Sequence, residues 1–295
     1  MSPIYVPGKV TLAKEFTWNE TVWNPSMLST ALWLDAADAS TITESGGAVS
    51  QWNDKSGNGH NATANGNPTY SATGMSTNKP AVQLDGTGDS LTSSITGIGS
   101  FNALDVYMVT QTPAAAGVEV DSGIFWGYGN VGSASGSYPA SRGQALASVT
   151  SLLSGESITI VYENTSLTGG RLGSATYTRA ANTAQILNSK NSTSGTSLFA
   201  NGSQINLGLA TIITTSTNTA PSNAGYAVDS NLYFGALRAS GILIYRTLKF
   251  AEIVVSSTLL STENRQKLEG YLAHKWGLTA DLPAGHPYKT VGPTP

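Results

Sequence analysis

Apolar residues in this chain of 295 residues gather in short runs separated by clusters of Gly, Asn, Ser and Pro. The runs are Ala31–Leu34, Ala48–Trp52, Ala81–Leu84, Val106–Thr110, Ile124–Tyr128, Ala145–Val149, Ser157–Tyr162, Thr196–Ala200, Asn231–Gly235, Ile242–Tyr245 and Phe250–Val255. Each is strand-sized, and the residues between them are those that supply positive φ or local side-chain hydrogen bonds in turns. Strands at this spacing, with hardly any helical period, predict an all-β sandwich or barrel. One domain can hold a sandwich of this length.

A single segment departs from that rhythm. Within Thr262–Trp276, residues Leu268, Tyr271, Leu272 and Trp276 fall on one face of a helix. Ser261 or Thr262 suits its N-cap, Glu263 the positive end of its dipole, and Gly277 the left-handed position past its end. Gly270 in its interior costs about 1 kcal/mol against Ala, which is tolerable where a neighbour packs closely. The helix is expected to be structural, with its Leu/Tyr/Trp face on the sandwich and His274 toward solvent.

The start of the chain reads differently again. Tyr5, Val6, Val10, Leu12, Phe16, Trp18, Val22 and Trp23 are apolar or aromatic, yet Pro3, Pro7 and Pro25 interrupt them and no period holds. Such a segment has no core of its own. Two readings stand: an arm over residues 1–28 that wraps back on its own domain, 29–295, or one that docks on a partner. No apolar stretch resembles a secretory h-region or reaches the length of a membrane helix, so neither export by a signal nor membrane insertion is expected.

Composition narrows the function classes. The chain has 15 basic and 18 acidic side chains, 11% of its residues, where about 25% is usual. A net charge of −3 leaves no basic surface for phosphates, which argues against nucleic acid as a partner. The absence of cysteine excludes a disulfide framework and Cys-based zinc, so burial alone must stabilise the fold.

Several segments then occur in a familiar order. They are Leu32-Trp-Leu-Asp-Ala-Ala-Asp-Ala-Ser40, Val49-Ser-Gln-Trp-Asn-Asp-Lys-Ser-Gly-Asn-Gly-His-Asn-Ala62, Lys79-Pro-Ala-Val-Gln-Leu-Asp-Gly-Thr-Gly-Asp-Ser-Leu91, Leu198-Phe-Ala-Asn-Gly202, Leu232-Tyr-Phe-Gly-Ala236, Phe250-Ala-Glu-Ile-Val-Val255 and Glu269-Gly-Tyr-Leu-Ala-His-Lys-Trp-Gly-Leu278. Over residues 29–91 and 196–288 the chain resembles the concanavalin A-like, laminin-G-like jelly-roll domains of bacterial and phage surface proteins. The resemblance implies a two-sheet antiparallel jelly-roll sandwich with one C-terminal helix and an extended N-terminal arm. It also implies a choice of roles: glycan binding or adhesion, calcium binding, glycoside hydrolysis, or a place in a virion. The fold alone does not choose among them.

Glucanases of this architecture carry a Glu-x-Asp followed closely by a second acid; Glu119-Val-Asp121 supplies the first half, but the next acid is Glu156. No Gly-x-Ser-x-Gly elbow accompanies His60, His274 and His286, since Gly132-Ser-Ala-Ser-Gly136 has Ala at the nucleophile position. These gaps lead to the expectation of no catalytic residues and no enzymatic activity. Asp54-Lys-Ser-Gly-Asn-Gly59 opens like a calcium loop but has Asn65 at its twelfth position. For it and for Asp85-Gly-Thr-Gly-Asp89 turn roles are favoured, the second as a tight hairpin, with structural calcium left open and no other cofactor or metal expected. His60 is assigned to a turn. Trp126, Tyr128 and Tyr138 beside Asn130 could stack on and hydrogen-bond a sugar, although aromatic residues of a sandwich more often lie in its core; no ligand-binding residue is fixed by the sequence.

The sequence reading therefore expects a virion structural protein, a phage capsid decoration, head-fibre or tail-associated component. It would be made in the host cytoplasm and displayed on the virion surface as an oligomer, with its arm on other virion proteins. The alternative is an adhesin that binds host polysaccharide; a glycosidase ranks last.

Overall fold

A computed structural model of the protein describes residues 23–95, 103–112, 123–129, 143–150, 156–163, 170–176, 182–192, 195–206, 208–209, 231–239 and 242–295. The first strands are β1 (Thr30–Asp35), β2 (Ile42–Ser45), β3 (Ala48–Trp52), β4 (Ala62–Asn65), β5 (Thr69–Ser71), β6 (Ala81–Asp85), β7 (Ser90–Ser94), β8 (Ala103–Gln111), β9 (Gly123–Gly129) and β10 (Gly143–Thr150). They continue with β11 (Glu156–Glu163), β12 (Gly170–Thr176), β13 (Gln185–Ser192), β14 (Gly195–Ala200), β15 (Ser203–Ile205), β16 (Gly208–Leu209), β17 (Asn231–Phe234), β18 (Ala236–Ala239), β19 (Ile242–Tyr245) and β20 (Thr247–Ser256), followed by helix α1 (Thr262–Trp276). Every apolar run read from the sequence lies in one of these strands, save that Gly235, the last residue of one run, is the bend between β17 and β18, and the helix has the expected bounds.

All the ladders are antiparallel. Among the described residues they join 18 strands into one network, with β18 and β19 as a separate hairpin. The network is bent into two layers. In the back layer β20 pairs with β8 on one side and with β1 and β6 on the other; β8 leads through β13 and β14 to β15. In the front layer the order is β2, β3, β4, β7, β17, β9, β10, β11, β12, β16. A single pairing, Ala48 with Thr69, joins the two at one edge.

Alternation within each strand sends one set of side chains between the layers. Leu32, Leu34, Met108, Ile253 and Val255 of the back layer and Ala62, Leu91 and Phe234 of the front layer are fully buried. Across the gap, Phe234 meets Phe250 edge to face with ring centroids 6.2 Å apart. β1 is buried at every position rather than at alternate ones. Its second face is covered by α1, whose Leu268, Leu272, Ala273 and Trp276 are buried, so the back layer is sandwiched between the front layer and a helix. Burial of each large apolar side chain there contributes roughly 1.5–3 kcal/mol.

The local signals in α1 behave as the sequence predicts. Ser261 Oγ accepts from the Asn264 N–H, Gly277 at φ 77° takes the left-handed C-cap, and exposed His274 bonds the Tyr288 carbonyl. Gly270 is a packing requirement, since a Cβ there would lie 2.3 Å from Cβ of Tyr288.

Two local expectations need correction. Asp85–Asp89 is a turn but not a hairpin: β6 pairs with β5 and β20, whereas β7 pairs with β4 and β17, so the turn carries the chain from one layer to the other. Asp89 holds this crossing by accepting from the N–H groups of Asn67 and Asp85. Within the expected arm, residues 1–22 lie outside the described residues, while Trp23 is buried and meets Tyr271 of α1 edge to face at 5.9 Å. This end of the segment packs on its own domain.

Candidate functional site

Four of the segments that carry the resemblance, those with Trp33, Lys55, Glu252 and Lys275, meet beneath α1. Register places Asp35 of β1 directly opposite Glu252 of β20, two like charges that repel when adjacent. Lys275 of α1 lies between them, with Nζ 2.6 Å from Asp35 Oδ1 and 2.8 Å from Glu252 Oε2. Glu252, fully buried, also accepts from the indole N–H groups of Trp33 (2.7 Å) and Trp276 (2.6 Å) and from the Tyr271 hydroxyl (3.2 Å). Burial raises the Glu252 pKa, against the pull of Lys275. Lys55 sits over the Trp33 ring and bonds Asp35 and Asp38; burial lowers its pKa, but the two carboxylates outweigh this and hold it above the ordinary value. Acceptors and donors in this cluster are matched to one another, which makes it the clamp that docks the helix.

A second structural role belongs to the loop from Asp54 to His60. Among the described residues β1 has a ladder partner on one side alone, β20, and its other edge would present bare backbone groups. The loop closes that edge. Asp54 Oδ1 accepts from the N–H groups of Trp33 and Ser56, and Oδ2 from the Ser56 hydroxyl and the His60 N–H. The Lys55 N–H donates to Trp33 O, Asn58 donates to Thr30 O and Ala31 O, and His60 Nδ1–H donates to Ala31 O. Both Asp54 oxygens are thus committed to internal donors, and the turn reading of this motif accounts for its residues. Among the described residues no cluster of His, Cys, Asp or Glu has the arrangement of a metal site.

Where this loop returns to the front layer, an open cleft of 570 Å³ is lined by Gly59, His60, Asn61, Thr63, Asn65, Thr92, Ser94, Asn231 and Tyr233. Three adjacent strands form its floor. Thr63 of β4 stands opposite Thr92 of β7, which stands opposite Tyr233 of β17; beside them Ser94 pairs with Asn231. Ala62, Leu91 and Leu232, which alternate with these residues, are fully buried. The same alternation that fills the core therefore aligns hydroxyls and amides on the opposite face.

The polar groups in the cleft are ordered by their neighbours. Asn65 Nδ2 donates to Thr92 Oγ1 (2.9 Å), the Ser94 hydroxyl donates to Asn231 Oδ1 (2.5 Å), and Asn61 Oδ1 accepts from the Asp54 N–H. Because His60 Nδ1 faces a carbonyl it carries the proton, and in the neutral ring Nε2 is left as an acceptor. The wall thus offers both donors and acceptors of hydrogen bonds on backbone that the sheet holds in place.

Among the described residues singled out from the sequence, His60 reaches this cleft, together with Gly59 and Asn65, which had been considered for a calcium loop. Trp126 is fully buried in the core, so it cannot stack on a ligand; Tyr138, Asn130, Glu119 and Asp121, and the side chain of Tyr128, lie outside the described residues. Thr63, Thr92, Ser94, Asn231 and Tyr233 were missed, and Asn65 was noted only as the residue that breaks a calcium-loop pattern. Ala62-Thr-Ala-Asn65 has the period of two that marks a half-buried strand, but its small and polar residues resemble the neighbouring turns.

No protein-family model matches the sequence, and no curated protein matches it significantly. Its fold does match solved structures. One is the binding domain of botulinum neurotoxin DC in complex with SialylT (TM-score 0.52, 11% identity, 83% of this chain and 51% of that one). A second is the binding domain of botulinum neurotoxin serotype D (TM-score 0.51, 13% identity, 82% and 51%). A third is Trypanosoma rangeli sialidase in complex with sialic acid (TM-score 0.53, 13% identity, 83% and 33%). The chain thus spans about half the length of the toxin domains and a third of the sialidase. At these identities the likeness is one of fold, an antiparallel β-sandwich of the jelly-roll kind.

The expectation that the chain is no enzyme is corrected by the sialidase, which shares the fold. That expectation rested on an incomplete glucanase acid pair and a missing serine elbow, and these are only two of the chemistries that such a sandwich accompanies.

Proposed function

We propose that the protein is a carbohydrate-binding domain of the lectin-like, concanavalin A-like class, with the cleft over β4, β7 and β17 as its binding site. The observation that carries this reading is the row of hydroxyl, amide and imidazole groups from Thr63 through Thr92 to Tyr233, fixed by sheet register and flanked by Asn65, Ser94 and Asn231. A sugar presents hydroxyls that both donate and accept, and it needs this mixture on a preformed concave surface. The toxin binding domain crystallised with SialylT and the sialidase with sialic acid lend support from the fold. The virion placement, the anchoring of the arm on other virion proteins and the oligomer have no counterpart among these structures, so the saccharide-binding reading takes precedence over them.

A glycan array probed with the full chain tests this directly. Wild type should retain one or more glycans. Thr92→Val, which removes one hydroxyl from the middle of the row and leaves the strand intact, should weaken them about tenfold with little change in Tm. An array without hits at high protein concentration would remove the reading.

A further inference from the structure

The composition of the cleft says more about its ligand than the fold does. Its described lining consists of Gly, His, Asn, Thr, Ser and Tyr, with neither a carboxylate nor a lysine or arginine. The nearby ionic groups of the plug loop are already engaged: Asp54 with the donors of its own loop, and Lys55 with Asp35 and Asp38. A carboxylate brought onto this surface would lose part of its hydration without meeting a cation, and an anion so placed is costly. Both hydrogens of Asn65 Nδ2 are spent on Ser90 and Thr92, so a sugar hydroxyl meets acceptors in Asn65 Oδ1 and His60 Nε2, and a donor or an acceptor in the hydroxyls of Thr63 and Thr92.

We infer that the cleft takes an uncharged saccharide, and that it discriminates against sialylated glycans such as those bound by the toxin domain and the sialidase. The inference rests on the carbohydrate-binding reading of the same cleft and adds the charge class of the ligand. The selectivity is electrostatic: neutral hydrogen-bonding groups reward hydroxyls, and the absence of a counter-charge in the described lining penalises acids.

Matched pairs of glycans distinguish the two levels of the claim. Lactose and N-acetyllactosamine oligosaccharides, with and without terminal sialic acid, are titrated against the full chain at low and high salt. The neutral member of a pair should bind at least about tenfold more tightly, with an affinity insensitive to salt because no ion pair forms. Thr63→Arg, at an exposed edge of the cleft, introduces the missing cation and should shift the preference toward the sialylated member. A wild-type protein that prefers the sialylated member, or a Thr63→Arg variant with unchanged preference, overturns the inference and leaves saccharide binding standing. Failure of the wild type to bind any member of either set overturns the inference, and a full array without hits removes saccharide binding as well.

Discussion

Buried carboxylates in this protein act by position, and Asp105 shows what that costs. It is fully buried on β8, where it accepts from the Leu260 N–H just before α1 and from the Asn188 amide, with Lys190 Nζ at 3.9 Å. Burial pushes its pKa from the ordinary 3.8 up to about 6, although these partners pull the other way. Between those values the folded protein holds a proton that the unfolded chain releases. The stability that Asp105 contributes is therefore complete below about pH 3.8 and is lost as pH rises through about 6. At roughly 1.36 kcal/mol for each pH unit of that interval, the loss is about 3 kcal/mol. Urea unfolding of wild type and Asp105→Asn from pH 4 to 7 measures this. The stability of wild type relative to the variant should fall by about that amount toward neutral pH, and a constant difference would contradict the argument.

At the scale of elements, the plug loop and the helix each permit a decision between opposing effects. Asp54→Ala removes the acceptor from the N–H groups of Trp33, Ser56 and His60 at once. With these part-buried donors left unpaired, unfolding free energy should drop by about 3 kcal/mol. The freed edge of β1 should also promote concentration-dependent association, which light scattering would register. In α1, propensity alone favours Gly270→Ala by about 1 kcal/mol. The new methyl would instead fall 2.3 Å from Cβ of Tyr288, and overpacking typically costs about 1–3 kcal/mol. The variant should have a lower Tm than wild type; a higher one would show that the C-terminal segment yields.

The whole molecule shows why some of this was legible in the sequence and some was not. Strands such as β1, β8 and β20 face apolar surroundings and announce themselves by Leu, Ile, Val and aromatic residues, and α1 by its caps and its apolar stripe. β4 and β7 carry the cleft and, Leu91 apart, are built from Ala, Thr, Ser and Asn, the same residues as the turns around them. A strand that faces a polar ligand or solvent on one side and pairs tightly on the other offers little hydrophobic contrast. Trp126 misled in the opposite direction, for an aromatic residue near a Gly/Ser-rich segment looks like a sugar platform and here fills the core. The Trp-x-Asp-x-Ser-Gly-Asn-Gly and Glu-Gly-Tyr-Leu-Ala-His-Lys-Trp segments close the scaffold, so a resemblance carried by them speaks to architecture and not to the residues of the cleft.

The plug loop has one more effect. Gly59, His60 and Asn61 form the lip of the cleft, and the last two are tied to Ala31 and Asp54 by the bonds that seal β1. The rim is therefore immobilised by the demands of the scaffold before any ligand arrives. A saccharide entering the cleft meets a wall whose conformational entropy has already been lost in folding, and association there should proceed without a closing step, with the affinity reflecting the contacts alone.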